Sequence, residues 1–301
     1  MTTRKKLGIA FSGGAARGFA HIGVLKVLRE HDIPVDFVAG TSSGSIVGAA
    51  FASGLSVEEI IEMGRKMTWY RMTGLAFSPK GILSNASMGA FLRKNLPLDK
   101  FEDLPIPFAA VTCDLQTGEA VVLHDSGDLI DAVRASCAIP GIFTPVEIDG
   151  KRLFDGGVVA NVPTKAVKKL GAEIVIAVDV LASGATYWGT PSTLLGIFFQ
   201  STMLLLRAAS KAHHYRADVV IIPKIAHLRP DEIGKIDEFI KAGEEAALEK
   251  IDLCKRSRTD CDCGGFKLRN IHLWMNPDTR RYKSNLMKKF YILKLSSIKN
   301  D

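Results

Sequence analysis

The segment Gly40-Thr41-Ser42-Ser43-Gly44 is a G-x-S-x-G pattern between an apolar run and an Ala- and Gly-rich stretch. A serine on so sharp a strand-to-helix turn is held out as a nucleophile, and Gly40 and Gly44 remove side chains that would clash in the tight backbone. At the head of a helix it also sits where the macrodipole favours developing negative charge. So short a pattern also arises by chance as a Ser-rich helix start. The strand before it and the helix after it favour the nucleophile.

A second segment, Ser12-Gly13-Gly14-Ala15-Ala16-Arg17-Gly18, separates the first apolar run from a helical pattern. Small residues let main-chain N–H groups converge on an anion at a helix start, either a phosphate or an oxyanion. The Gly-Lys-Ser/Thr ending of a P-loop is absent, and Ala15 stands where a dinucleotide fingerprint needs its second glycine. A turn built only for close packing is the plain alternative. If Ser42 is a nucleophile, an oxyanion hole explains the loop better, because stabilising the tetrahedral intermediate is often the largest catalytic term.

A serine hydroxyl needs a base, usually histidine oriented by a carboxylate. Ser42, Asp179 and His213 or His214 satisfy the order serine, acid, histidine in form only. The nucleophile turn of that hydrolase fold follows several strands, and Ser42 is preceded by room for about two. The other candidate is Phe154-Asp155-Gly156-Gly157. Asp155 ends a short apolar stretch, Gly156 and Gly157 open space beside it, and partial burial would raise its basicity. An ordinary Asp-Gly turn gives the same local pattern.

These residues need a scaffold, and the pattern supplies one. Short β-branched runs alternate with helical stretches, the signature of a mostly parallel sheet with helices on both faces. Strands are expected at 6–11, 37–40, 108–113, 121–124, 173–180 and 218–222. Helices are expected at 20–31 and 43–53, and a third, opened by a Ser56/Glu59 capping box, through Met67. Residues 69–83, with Gly74, Pro79 and Gly81, break the pattern and read as a surface loop or a cover over the site.

Composition adds limits. The net charge of +7 is concentrated at the end, where Lys255 to Asp301 carries 12 basic residues against 4 acidic ones. The reading is therefore a domain over 1–254 and a basic C-terminal extension over 255–301. No aromatic-basic repeat in that extension suggests nucleic-acid binding, and none is expected. Leu286 to Ile298 mixes apolar residues with Lys288, Lys289 and Lys294, the ingredients of a peripheral membrane contact, but lacks a clean helical face. A docked or disordered extension is the expected state there. The apolar stretch around Thr193 to Leu206 is too short and too interrupted for a membrane span. Five cysteines without a secretion signal suit a reducing cytoplasm rather than a disulfide framework. Cys254, Cys261, Cys263 and His272 have poor spacing for zinc.

Taken together, the three segments resemble the patatin-like phospholipases in order and spacing across most of residues 6–225. Other stretches match that family too: His21-Ile22-Gly23-Val24-Leu25, Asp114 to Gly118, Ala132 to Ser136, Ile139-Pro140, Phe143, Pro145 and Ala177-Val178-Asp179. The resemblance implies a three-layer α/β fold with a mostly parallel central sheet, and a lipid-ester hydrolase of the phospholipase A or lysophospholipase type. It implies a Ser42–Asp155 dyad without histidine, oxyanion N–H groups from Gly13, Gly14 and Ala15, and no metal or organic cofactor. Arg17 would orient the loop or meet an anionic head group, an ordinary surface role being the alternative. Ala15 departs from the third glycine of many members, which bears on the geometry of the loop. A non-catalytic regulatory or membrane-associated protein of the same fold is the rival expectation, and the oligomeric state is left unassigned. Leu194, Leu195, Ile197, Phe198, Phe199 and Met203 to Leu206 are candidates for an acyl channel, with core packing the expected use.

Overall fold

The computed structural model describes residues 4–78, 81–184 and 191–259. The chain opens with strand β1 (Leu7–Phe11), a 3-10 turn over Ala15–Phe19, helix α1 (Ala20–Glu30), strand β2 (Phe37–Thr41) and helices α2 (Ser43–Ala52) and α3 (Val57–Arg65). Next come helix α4 (Trp69–Met72), strands β3 (Gly74–Ser78) and β4 (Gly81–Ser84), helix α5 (Ala86–Asn95), and strands β5 (Phe108–Asp114) and β6 (Ala120–His124). Helix α6 (Leu129–Ser136), strands β7 (Val146–Ile148) and β8 (Lys151–Asp155), and helices α7 (Gly157–Ala160) and α8 (Thr164–Lys169) follow. The described chain closes with β9 (Ile174–Val178), α9 (Leu194–Ser210), β10 (Val219–Ile221), α10 (Ile236–Leu248) and α11 (Ile251–Thr259).

The expected strands and helices are present, with ends shifted by one or two residues. The 69–83 stretch differs: it folds into the short helix α4 and an antiparallel hairpin of β3 and β4. Its Gly and Pro residues read as loop punctuation, yet hairpin strands this short need little periodic sequence. Helix α11 runs across the point near Cys254 where composition shifts. Residues 260–301 lie outside the described residues, among them the stretch Leu286 to Ile298 and Cys261, Cys263 and His272.

Strands β10, β9, β1, β2 and β5 pair side by side and parallel. Each of β1, β2, β5 and β9 is buried along its whole length, as continuous apolar runs require of strands covered on both faces. One face packs on α1, α2, α3 and α10 through Leu25, Leu28, Ile46, Ile60 and Phe239. The other packs on α8 through Ala166 and Val167.

The far side of β5 sets the geometry of the site. Antiparallel β6 pairs with Ala109 to Cys113 and so occupies one edge of β5 along its length. On the opposite edge, β2 pairs in parallel up to Thr41 opposite Val111, and β8 pairs antiparallel from Leu153 down to Asp155 opposite Thr112. Strands β2 and β8 therefore share one edge of β5 end to end. They run toward each other and stop on adjacent rungs.

Candidate active site

The last residue of β8 is Asp155, and the residue after β2 is Ser42. Between β2 and α2, Ser42 adopts φ 53° and ψ −128°, a region that costs a non-glycine residue about 1–3 kcal/mol. Neighbours over-determine this conformation. The Ser42 N–H donates to Ser136 Oγ at 2.9 Å, and the Ser136 hydroxyl donates to the Val111 carbonyl at 2.7 Å. The Ser42 carbonyl accepts from the Ser45 N–H at 2.7 Å and the Ser45 hydroxyl at 2.6 Å. A Cβ on Gly40 would lie 2.4 Å from the Gly44 carbonyl oxygen, and one on Gly44 would lie 2.4 Å from that of Phe11. The turn closes only because both positions lack side chains.

Asp155 is 2% exposed, and burial pushes its carboxyl up to about 6, while the Ser42 hydroxyl and the Gly157 N–H hold it down. The Gly157 N–H donates to Asp155 Oδ1 at 2.8 Å. Asp155 Oδ2 makes no hydrogen bond of good geometry among the described residues, so one oxygen is anchored and the other is not. Gly156 packs against the Val111 carbonyl, where a Cβ would come within 2.3 Å. Cys137 lies beside both groups, and its thiol is raised by burial and by the charge of Asp155.

The Gly-rich loop lies across from this pair. The Gly13 N–H donates to the Asn161 carbonyl at 3.2 Å and the Ala16 N–H to the Pro230 carbonyl at 2.9 Å. Those of Gly14 and Ala15 meet no acceptor among the described residues. Two of the three expected oxyanion donors are therefore unengaged. Gly18 packs directly on the head of α2, where a Cβ would lie 2.5 Å from Ser43 Oγ. Arg17 is buried at 1% exposure, which removes the surface reading. Its Nε and Nη2 donate to the Leu228 carbonyl at 3.1 and 2.8 Å, and its Nη1 to the Gly184 carbonyl at 2.9 Å. Burial and Arg207 lower it to about 10, so it stays charged at neutral pH. The guanidinium ties the loop to two other segments rather than facing a head group.

Ala15 has φ 52°, left-handed backbone that disfavours a residue with Cβ. Ala15→Gly relieves that strain against a smaller entropic loss in the unfolded chain. We expect a gain of roughly 0.5–1 kcal/mol, seen as a rise of about 1–3 °C in Tm, with activity retained. Thermal melts of the two proteins check this.

His21 and His214 are engaged elsewhere. His21 is buried against Phe11, with Nε2 at 2.8 Å from the Ser12 carbonyl, and burial lowers it to about 4. His214 Nε2 lies 2.7 Å from Asp179 Oδ2, which also takes the Ser210 hydroxyl. Asp179 Oδ1 accepts from Leu181 and Ala182. Asp179 follows β9, and β1 separates β9 from β2. The groups that act on Asp179 are His214 and Ser210, whereas Ser42 acts on Asp155 and Cys137. The Asp179–His214 pair thus forms, but as a buried structural unit. The side chain of His213 lies outside the described residues.

An apolar cavity of about 100 Å³ opens from Ser42 between the loop, α2, α3 and α4, with Ile46, Met63, Met67, Met72 and Met88 among its walls. None of the residues named as acyl-channel candidates is among its walls. Met203 and Leu206 are core residues, and Ile197, Phe198, Leu204 and Leu205 face outward. Phe199 lines a second cleft that shares Trp69, Ile139 and Phe143 with the first cavity. The side chains of Leu194 and Leu195 lie outside the described residues.

Sequence reasoning missed Ser136 and Asn161. Asn161 is fully buried, takes the Gly13 N–H on its carbonyl, and brings its side-chain oxygen close to Gly13 and Gly157. Polar residues this buried are uncommon, but nothing in the sequence says that these two are buried.

A family profile described as patatin-like phospholipase matches residues 9–168. An uncharacterized NTE family protein of Mycobacterium tuberculosis is 36% identical over 183 residues, 60% of this chain and 50% of that protein. Lysophospholipase NTE1 of Scheffersomyces stipitis is 30% identical over 184 residues, 59% of this chain and 12% of that protein. The chain thus spans half or less of the length of these curated relatives. Among solved structures, VipD from Legionella pneumophila superposes with a TM-score of 0.48 at 14% identity, covering 84% of this chain and 67% of that one.

Proposed function

The chain belongs to the patatin-like phospholipase family, and from that premise we propose that it is a serine acyl hydrolase of lipid esters working through Ser42 and Asp155. The observation that carries this reading is the end-to-end meeting of β2 and β8 on adjacent rungs of β5, with the Ser42 hydroxyl acting on a carboxyl held near 6. In the first step Asp155 takes the Ser42 proton as Oγ attacks the ester carbonyl. The tetrahedral oxyanion is met by the N–H groups of Gly14 and Ala15, and its collapse releases the alcohol, which leaves with the proton from Asp155. In the second step Asp155 deprotonates water, which attacks the acyl-serine, and the proton returns to Ser42 as the fatty acid leaves. No metal or organic cofactor enters this scheme.

The apolar cavity supports an acyl chain as the group seated beside Ser42, and the lysophospholipase name of one relative supports a phospholipid or lysophospholipid as its source. Three described cysteines are free and buried, in keeping with the proposed cytoplasmic setting. No helix among the described residues is long and apolar enough to cross a membrane. The location we propose is the cytoplasm, with a peripheral contact at the inner membrane surface.

The test is covalent labelling by a fluorophosphonate, with the modified peptide mapped to Ser42. His214→Ala separates a dyad from a triad. We expect the variant to label at a rate within a few-fold of wild type while losing about 3 kcal/mol of stability, because a buried carboxylate loses its partner. The corresponding fall in Tm is about 10 °C. Labelling abolished in a folded His214→Ala protein would return histidine to the chemistry.

A further inference from the structure

Helix α9 is apolar on both sides. Phe199, Met203, Leu206 and Ser210 point inward at helical spacing, and Met203 and Leu206 belong to the core. Ile197, Phe198, Ser201, Leu204 and Leu205 share the outward face at the i, i+1, i+4, i+7 and i+8 positions. Leu205 is 71% exposed, Ile197 and Leu204 each 49%, and Phe198 43%. A helix surface turned to water ordinarily carries charge, and this one carries none.

Two further observations say what covers it. Between Asp179 and Asp218 the sequence has no Asp or Glu, while Lys211 and Arg216 fall in that stretch, besides Arg207, whose guanidinium packs beside Gly184. Past the end of α9, Tyr215 is 71% exposed, with the Arg216 guanidinium 4.7 Å from its ring. Tyrosine and arginine so placed suit a boundary between apolar and polar media. In addition, the cleft lined by Gly196, Phe199 and Gln200 of α9 shares Trp69 and Phe143 with the cavity at Ser42. The helix therefore flanks the way to the serine.

We propose that the outward face of α9 docks the protein on an anionic lipid surface. Ile197, Phe198, Leu204 and Leu205 enter the boundary between head groups and acyl chains, and the carboxylate-free stretch around them meets the negative head groups. The helix, 17 residues long, lies in the plane of the surface rather than across it. The placement rests on the lipid-ester reading of Ser42 in one respect: substrate then leaves the bilayer beside the cleft that leads to the serine.

The experiment is co-sedimentation of the full chain with phosphatidylcholine vesicles, with and without about 30% phosphatidylserine. It compares wild type, Leu205→Gln, and the triple variant Ile197→Gln/Leu204→Gln/Leu205→Gln, since glutamine keeps the helix and removes the apolar surface. Wild type should bind the anionic vesicles more tightly than the neutral ones, and less so in high salt. The triple variant should bind them at least about tenfold more weakly, and Leu205→Gln should fall between. Both variants should hydrolyse a dissolved short-chain nitrophenyl ester at the wild-type rate. Equal sedimentation of all three proteins overturns the proposal, as does a wild-type dimer that the triple variant disperses, which would make the face a contact between copies. Binding lost on substitution supports the docking even if wild type leaves the dissolved ester intact, a result that would sink only the hydrolase reading.

Discussion

On the proposed mechanism, Ser42→Ala is expected to abolish turnover of lipid esters, lowering kcat by about six orders of magnitude, the scale seen when a nucleophilic serine is removed from a hydrolase. The fold is unaffected, because alanine keeps the Cβ and the main-chain bonds to Ser136 and Ser45 do not use the Ser42 hydroxyl. Ser42→Gly is equally inactive but behaves differently on heating. At φ 53° glycine has no steric penalty, so the strain that holds the nucleophile is released. A gain of about 1 kcal/mol follows, or roughly 2–4 °C in Tm for a domain of this size. The pair of variants separates two costs of the same residue. Kinetics reads the loss of the hydroxyl, and calorimetry reads the removal of strain. Equal Tm for Ala and Gly would show that the turn holds no strain, and residual turnover near wild type would show that the hydroxyl is not the nucleophile.

Asp155→Asn, which removes the proposed base, is expected to lower kcat by about three to four orders of magnitude, within the range of general-base catalysis combined with loss of serine activation. Wild-type kcat/KM should rise tenfold per pH unit on the acid side and level off above a midpoint near 6, because the carboxylate must be ionised to accept the proton. The same group has an opposite signature in stability. Its folded value lies above the ordinary 3.8, so the folded protein binds the proton more tightly than the unfolded chain does. Its contribution is fully present below about pH 4 and is lost as pH rises through 6, by about 3 kcal/mol in all. Asparagine does not titrate. Asp155→Asn should therefore be more stable than wild type at pH 7–8 by up to that amount, with the difference vanishing near pH 3.5. Denaturant titrations at the two pH values check the sign. An Asn variant less stable at pH 8 would mean that the carboxylate is favourably solvated in the folded state.

The parallel half of the sheet and the two glycine-bearing turns were legible because their signals are local. Ile174 to Val178 is a run with no polar interruption, and Ser56 with Glu59 writes a capping box that forms as read. What escaped depends on which residues lie across from one another. Ser136 sits in a segment that reads only as helix, and its hydroxyl gains a role because α6 ends beneath the nucleophile turn. Arg17 looks like any surface arginine until Leu228 and Gly184 close over it. The apolar residues of α9 are the reverse case. Hydrophobicity alone suggests a channel wall or core, yet Ile197, Phe198, Leu204 and Leu205 are largely exposed. The cavity at Ser42 is lined instead by methionines of α3, α4 and α5 and the linker between them, whose spacing reads as ordinary core.

The opposed approach of β2 and β8 along one edge of β5 also governs when the site comes into being. A nascent chain emerging from the ribosome holds Ser42 long before Asp155 has been synthesised. On the dyad proposed above, hydrolytic competence begins only once β8 has paired with β5. On the same proposal, a chain stopped before β8 carries Ser42 without its base.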